Sequence, residues 1–304
     1  MNQPEAGSSR NGLFSRDDYL APPHIPTGQP PKDVLNTIWR KNEVFLDIGS
    51  YSIGSFVMVM WPPLLLCLWL MPPLKELDVA YWYIIFCLVI FPILMLLYLL
   101  VQPVPPPVRF NRQRREVCVP QKDGSYWIVP WEQVTAAATA VSSVGQHGKT
   151  TQGMLVVGFI NPDPNAKEVD RHFTQGFSCG GGTTAMCLWE CMRSYMEIGP
   201  QAVPDTRLGK RPYEETQIGS IVTSLRKGDI KDVLHGLFFV IFLGTYFAEK
   251  LQNLKLAPPP DLTDPAIVEW SQPLPPEQWA TRSPELERAI AEREAELNAE
   301  RATE

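Results

Sequence analysis

Histidine is scarce in this 304-residue chain, and its four copies, His24, His147, His172 and His235, form no spaced metal motif. The six cysteines are too few for a disulfide scaffold. Cys67 and Cys87 lie in apolar runs, while Cys118, Cys179, Cys187 and Cys191 fall in a region expected in the cytoplasm, where thiols stay reduced. Cys187 and Cys191 share a helix face at i, i+4, and Cys179 and His172 would complete four zinc ligands. Structural zinc usually takes paired ligands from two elements. Small apolar core residues are therefore the favoured reading of these cysteines, and no metal or other cofactor is expected. The opening MNQPEAGSSRNG has no short apolar core before a small-residue cleavage site, so no signal peptide is expected and membrane entry falls to internal helices. A broad basic surface is missing too. The net charge is −6, much of it from the glutamates after Glu285, which argues against nucleic acid as a partner.

Complete catalytic sets are equally absent. Gly176-Phe-Ser-Cys-Gly180 fits the nucleophile-elbow pattern. That chemistry needs Ser178 on a strained strand-to-helix turn, with an acid and a histidine later in the chain. The one later histidine, His235, sits inside an apolar segment, and a glycine-rich joint explains the pattern better. Gly148-Lys149-Thr150 resembles the end of a phosphate loop, but Ser143 stands where the loop requires glycine, so a turn is expected. A membrane-bound enzyme is thus the weakest functional reading.

What the chain has is segregation. Its thirty prolines are roughly twice the average usage of about 5% and gather at boundaries. Two uncharged apolar blocks, Ser52–Met71 and Val79–Val101, each reach the ~20 residues that cross a ~30 Å hydrocarbon core. Pro62, Pro63 and Pro92 are expected to kink them, which membranes tolerate. Pro72 to Asp78 forces a tight hairpin. Arg40 and Lys41 before it, and Arg109, Arg112, Arg114 and Arg115 after it, outweigh the lone Lys75 at its tip. By the positive-inside rule both flanks face the cytoplasm. The four arginines are candidate membrane-surface contacts, worth about 1 kcal/mol each beside anionic headgroups. A third apolar stretch, Val233 to Ala248, has sixteen residues and a histidine. It can span, lie re-entrant or pack on the soluble domain, and if it spans, the acidic tail lies outside the cytoplasm.

From Val108 the pattern turns to short strands. Asp123-Gly124 marks a hairpin between Val117-Cys-Val119 and Tyr126-Trp-Ile-Val129. Further strands are expected over Val134–Val144, Met154–Ile160 and Arg171–Phe177. After the joint at Gly180, a helix capped by Thr183 or Thr184 runs to Ile198, with Trp189 and Tyr195 on its apolar face and Gly199-Pro200 as its stop. Phe110, Trp131, Trp189 and Tyr195 are the expected core. Strands in hairpins closed by one C-terminal helix make a small α+β domain of pleckstrin-homology-like (PH-like) type. The expected order is a cytoplasmic segment 1–51, a transmembrane hairpin 52–101, the α+β domain 108–205, and a basic segment with the third apolar helix 206–255. A proline-rich linker and acidic helical tail follow over 256–304. That tail has Ser283 as cap and Pro284 at its first position, but its stripe of Leu286, Ile290 and Leu297 is thin, so it should be solvated or dock on a partner.

Three stretches carry a resemblance: Phe110-Asn-Arg-Gln-Arg-Arg-Glu-Val117, Val129-Pro-Trp-Glu-Gln-Val134, and Trp189 to Pro200. With the preceding helix pair, over residues 30–205, they resemble an uncharacterised family of proteobacterial inner-membrane proteins with PH-like modules, often encoded beside type VI secretion effectors. The resemblance implies a multi-pass inner-membrane protein with a cytoplasmic soluble domain, acting as immunity or accessory protein to a secreted effector, and it supplies no catalytic residue. The alternative is a membrane scaffold or lipid-headgroup module. The oligomeric state and the effector stay open.

Overall fold

The computed structural model describes the chain except residues 1–7, 13–14, 20–23, 34–35, 52, 75–78, 146–147, 180–181, 209–211 and 304. Residues 75–78 of the expected hairpin tip, Gly180 and His147 lie outside the described residues, and Pro72–Leu74 end the first apolar helix. Two compact units emerge, each assembled from separate pieces of chain. The first takes residues 1–50, 106–206 and 261–304, and the second takes 51–105 and 207–260.

The first unit is α+β, built on two antiparallel sheets. One is a meander of β3 (Ile38–Lys41), β4 (Phe45–Ile48), β5 (Val108–Asn111), β6 (Glu116–Pro120) and β7 (Tyr126–Pro130). The other joins β1 (Ser9–Asn11), β2 (Ser15–Tyr19), β8 (Thr135–Gly145), β9 (Gly148–Ile160) and β10 (His172–Ser178) in that order. Local polar side chains set the turns. Asp33 accepts from the Thr37 and Ile38 amides, both at 2.9 Å, and so starts β3. Asn42 caps the β3–β4 turn through the Val44 and Phe45 amides. Asn111 does the same after β5, accepting from Gln113 and Arg114. Asp123 and Gly124, the latter at φ +87°, close β6 onto β7 as their sequence predicts. Gly148–Thr150 is strand rather than turn, paired with Ser143–Gly145.

The helix α4 (Gly182–Glu197) lays its apolar face on this framework. Phe110, Val117, Trp131, Leu155, Val157, Phe159, Leu188, Trp189, Met192 and Tyr195 form one buried core. In β5 and β6 the alternation places Val108, Phe110, Val117 and Val119 in that core. Arg109, Asn111 and Cys118 therefore point to the sheet's other face. They are buried all the same.

The cover is the chain after residue 260, expected as linker and tail. Leu262, Ile267 and Trp270, the last two on the short helix α8 (Pro265–Trp270), pack on Cys118, Tyr126 and Ile128. Leu274 and Ala280 then hydrogen-bond Gln113. The final helix α9 (Pro284–Thr303) buries Leu286 and Ile290 completely or nearly so. A thin stripe suffices because polar anchors place the helix. The Ser283 amide donates to Glu132, and the Ser283 hydroxyl caps α9 at Leu286. Segments 1–51 and 256–304 are thus not separate from the α+β unit: 1–50 and 261–304 complete it.

The second unit holds α1 (Ile53–Leu74), which runs unbroken through Pro62 and Pro63. It also holds α2 (Val79–Ile85) and α3 (Phe91–Val101), joined by a π-helical stretch at Phe86–Ile90. That wide stretch precedes Pro92, whose missing amide hydrogen disrupts the ladder there. Among the described residues two helices are long and apolar enough to cross a membrane, or three if a bent pair counts as one span. After α5 (Gln217–Lys227), that pair comprises α6 (Ile230–Gly236) with its π-helical continuation to Phe242, and α7 (Thr245–Leu256), with a 56° bend between them.

Candidate functional site

The arginine cluster expected at the membrane surface is spent inside the first unit. Arg109 is 3% exposed and grips Asp47 with two hydrogen bonds of 2.7 and 2.8 Å. It also reaches Asp261 at 2.7 Å and Ser271 at 2.9 Å, and its guanidinium lies 3.7 Å from the Phe45 ring centroid. Burial alone would lower the Arg109 pKa, but Asp47 and Asp261 outweigh it and push it up. Arg114 donates to the Trp270 carbonyl at 2.9 Å. Arg112 lies half-buried beside Glu43 and the Ile198 carbonyl. Arg115, at φ +52° in the β5–β6 turn, turns inward to Glu197 and Glu132. A headgroup contact needs solvent-facing cations, and segments 1–50, 182–206 and 261–304 bring acids and carbonyls to all four instead.

Glu197, the last residue of α4, is the hub of that inner network. Its carboxylate accepts from Arg115 at 2.9 and 3.1 Å, from the Trp131 indole at 2.7 Å and from Arg282 Nε at 2.6 Å. Arg282 also donates to the Glu197 carbonyl. Burial alone would raise this carboxyl, yet Arg115, Trp131 and Arg282 hold it below the usual range. Phe110, Trp131, Trp189 and Tyr195 are all buried, with Trp131 5.9 Å from Phe110 and 5.5 Å from Trp189 between ring centroids. His24 stacks on Trp131 at 4.1 Å and donates through Nε2 to the Trp131 carbonyl, 2.7 Å away. Sequence reasoning passed over His24 and Glu197, because their partners lie far along the chain.

Three cysteines of the first unit are made inert by burial. Burial pushes the Cys118 thiol up to about 12 and the Cys179 thiol to about 11, and raises Cys191 as well. Among the described residues no group of three or more His, Cys, Asp or Glu is placed to hold a metal. Ser178 ends β10 in register with Met154, so it lies in extended strand rather than on a tight elbow.

One groove among the described residues of this unit, of about 480 Å³, lies between Pro26–Pro31, α4 and α9. Its floor is Glu190 with Arg193, an ion pair on one turn of α4. Glu190 also accepts from the Thr27 amide and hydroxyl, at 3.2 and 2.9 Å, which ties the proline segment down. Gly28 has φ +80°, a left-handed conformation that favours glycine, and it lies against the tip of Leu297. Leu297, Asn298 and Arg301 of α9 form the opposite wall. The groove offers one apolar contact, an exposed acid and base at its rim, and a run of prolines.

Residues 85–260 match the model of a family of unknown function (DUF6708), and since this is more than half of the chain, the protein belongs to that family. No curated protein and no solved structure is similar enough to match.

Proposed function

We propose that this family member is a non-enzymatic, multi-pass membrane protein whose α+β unit binds a protein partner, through the groove between Pro26–Pro31, α4 and α9. The observation that carries the reading is the groove itself. It is built from three distant pieces of chain, fixed in place by the Thr27–Glu190 bonds, and rimmed by Glu294 and Arg301 that a partner's charges can address. A lining dominated by polar and proline side chains suits a peptide or loop better than a small apolar ligand.

The finer identity rests on the resemblance. The partner is then a type VI secretion effector, and the chain is its immunity or accessory protein in the bacterial inner membrane, with a PH-like unit in the cytoplasm. In support, the three stretches that carry the resemblance converge on one spot, where Arg115, Trp131 and Glu197 bond to each other. The cytoplasmic placement is supported by the positive residues on both flanks of the hairpin. The rival reading of a headgroup-binding module loses its motive once the four arginines have partners within the unit.

The test is co-expression with the effector encoded beside it. Rescue of growth and co-purification are expected, and both should fail with Arg301→Glu combined with Asn298→Trp, while membrane insertion persists. No rescue and no complex with the unaltered chain would overturn the proposal.

A further inference from the structure

The two membrane-facing segments are both insertions into the first unit, and this fixes how often each crosses. The first leaves after β4 and returns at β5. Ile48 and Val108 are direct antiparallel partners, so residues 49–107 depart from and come back to neighbouring strand ends. Two long apolar helices in that insertion give two crossings. The second insertion leaves after Thr206, whose hydroxyl donates to the Ile38 carbonyl at 2.8 Å. It returns at Asp261, which bonds Arg109 and Arg40. Ile38 is itself the partner of Ile48. Departure and return therefore anchor to β3, β4 and β5 within one soluble unit, and that unit cannot stand on two sides of a bilayer.

An insertion that starts and ends on one side crosses an even number of times. Residues 207–260 contain a single apolar block, and a crossing takes ~20 apolar residues. The block cannot cross twice, so it crosses zero times. Its contacts inside the second unit agree. A Cβ at Gly54, near the start of α1, would face Ala248 and Gln252 of α7, whereas one at Gly244, just before α7, would strike the Trp61 ring at 2.6 Å. Trp61 also stacks on Phe247 at 4.5 Å and donates to the Ile241 carbonyl. Helix α7 thus runs antiparallel to the first turns of α1. It starts about seven residues, or roughly 10 Å, along α1 and heads back toward the end where α1 leaves the soluble unit. Gly244, at φ +74°, makes the bend.

We infer that residues 217–256 form a re-entrant element that enters and leaves the leaflet next to the soluble unit, and that α9 lies on the same side as β1–β10. The partner of this surface is lipid. Phe238, Phe239 and Phe242 project from the bent pair with about half their surface free, where acyl chains would cover them. Arg226, Lys227 and Lys231 beside it suit anionic headgroups. This inference stands apart from the partner-binding reading and needs only the hairpin to be a membrane hairpin.

Single cysteines in the full-length chain test it, with a membrane-impermeant maleimide applied to right-side-out and inside-out vesicles. The native thiols are the blank, being buried in the soluble unit or set in apolar helices. Asp163→Cys and Ala302→Cys should label in one vesicle orientation and Lys75→Cys in the other. Phe242→Cys should label at least ten times more slowly than Ala302→Cys until detergent is added. Labelling of Ala302→Cys from the Lys75 side would overturn the inference, as would Phe242→Cys labelling as fast as Ala302→Cys in intact vesicles. A C-terminal epitope tag, probed by protease from each side, reads the side of α9 without touching the apolar segment. Lys75→Cys labelling beside Asp163→Cys would overturn it by removing the hairpin it rests on, and would leave the partner assay unaffected.

Discussion

Replacing Glu197 by alanine should destabilise the soluble unit more than any other single removal of a charge. The carboxylate's side chain is 1% exposed and answers three donors: the Arg115 guanidinium, itself 8% exposed, the Trp131 indole and Arg282. Removing one partner of a buried ion pair strands the other and costs about 3–5 kcal/mol. The orphaned Trp131 N–H adds about 1–3 kcal/mol if it stays dry, though the two losses overlap because they share one cavity. We expect about 4 kcal/mol, against a total of about 5–15 kcal/mol for an ordinary domain. Glu197→Gln, which keeps an acceptor but not the charge, should lose about half as much. Urea unfolding in detergent micelles, followed by tryptophan fluorescence, measures it. Glu43→Ala is the control: its carboxylate is 67% exposed, 3.5 Å from Arg112, and should change stability by no more than about 0.5 kcal/mol. Because Arg282 leads into α9, Glu197→Ala should also speed proteolysis after residue 282. A loss below about 1 kcal/mol, with the tail still protected, would refute the idea that Glu197 is the dry hub of the unit.

The same region should make the unit acid-sensitive. Burial holds His24 at about 4 rather than 6.5, so the folded state prefers it neutral. Its contribution is complete above pH 6.5 and drains away as pH falls toward 4, by about 3 kcal/mol at ~1.4 kcal/mol per unit. His24→Phe should flatten the stability profile in that window, as read by unfolding at stepped pH. Glu197 adds a further loss at lower pH, since its depressed pKa gives stability that disappears as the carboxylate protonates. Leu286→Ala should cost about 2–5 kcal/mol and release α9 to protease, because Leu286 is fully buried. Cys118, Cys179 and Cys191 should resist maleimide in the native protein and react only after denaturant, because buried thiols with raised pKa carry almost no thiolate. Mass spectrometry before and after urea reads this directly.

Signals that act over a few residues were legible in the sequence. Uncharged runs of twenty residues gave the apolar helices, Asp123-Gly124 gave the β6–β7 turn, and the spacing from Met186 to Met196 gave α4. β3 and β4 escaped because four residues each are too few to show a period. What the sequence hid was cover supplied from far away. Alternation in Val108-Arg-Phe-Asn correctly places Arg109 opposite Phe110, and an arginine facing out of a sheet beside a membrane helix reads as a headgroup contact. It is instead closed over by Asp261 and Ser271, more than 150 residues on. The clue was present on the partner strand, since Phe45-Leu-Asp-Ile puts Asp47 on the same outer face, and two opposite charges there ask for each other before they ask for lipid. The tail misled for the converse reason. A thin stripe on a charged helix reads as solvated, because stripe width measures only apolar burial. Here Arg282, Ser283 and the Glu132 and Glu197 carboxylates position the helix, and two apolar side chains are then enough to seat it. That docking also bears on topology. With α8 packed on the sheet and α9 tied to Glu132 and Glu197, both ends of residues 207–260 belong to one unit, which is the premise of the re-entrant placement inferred above.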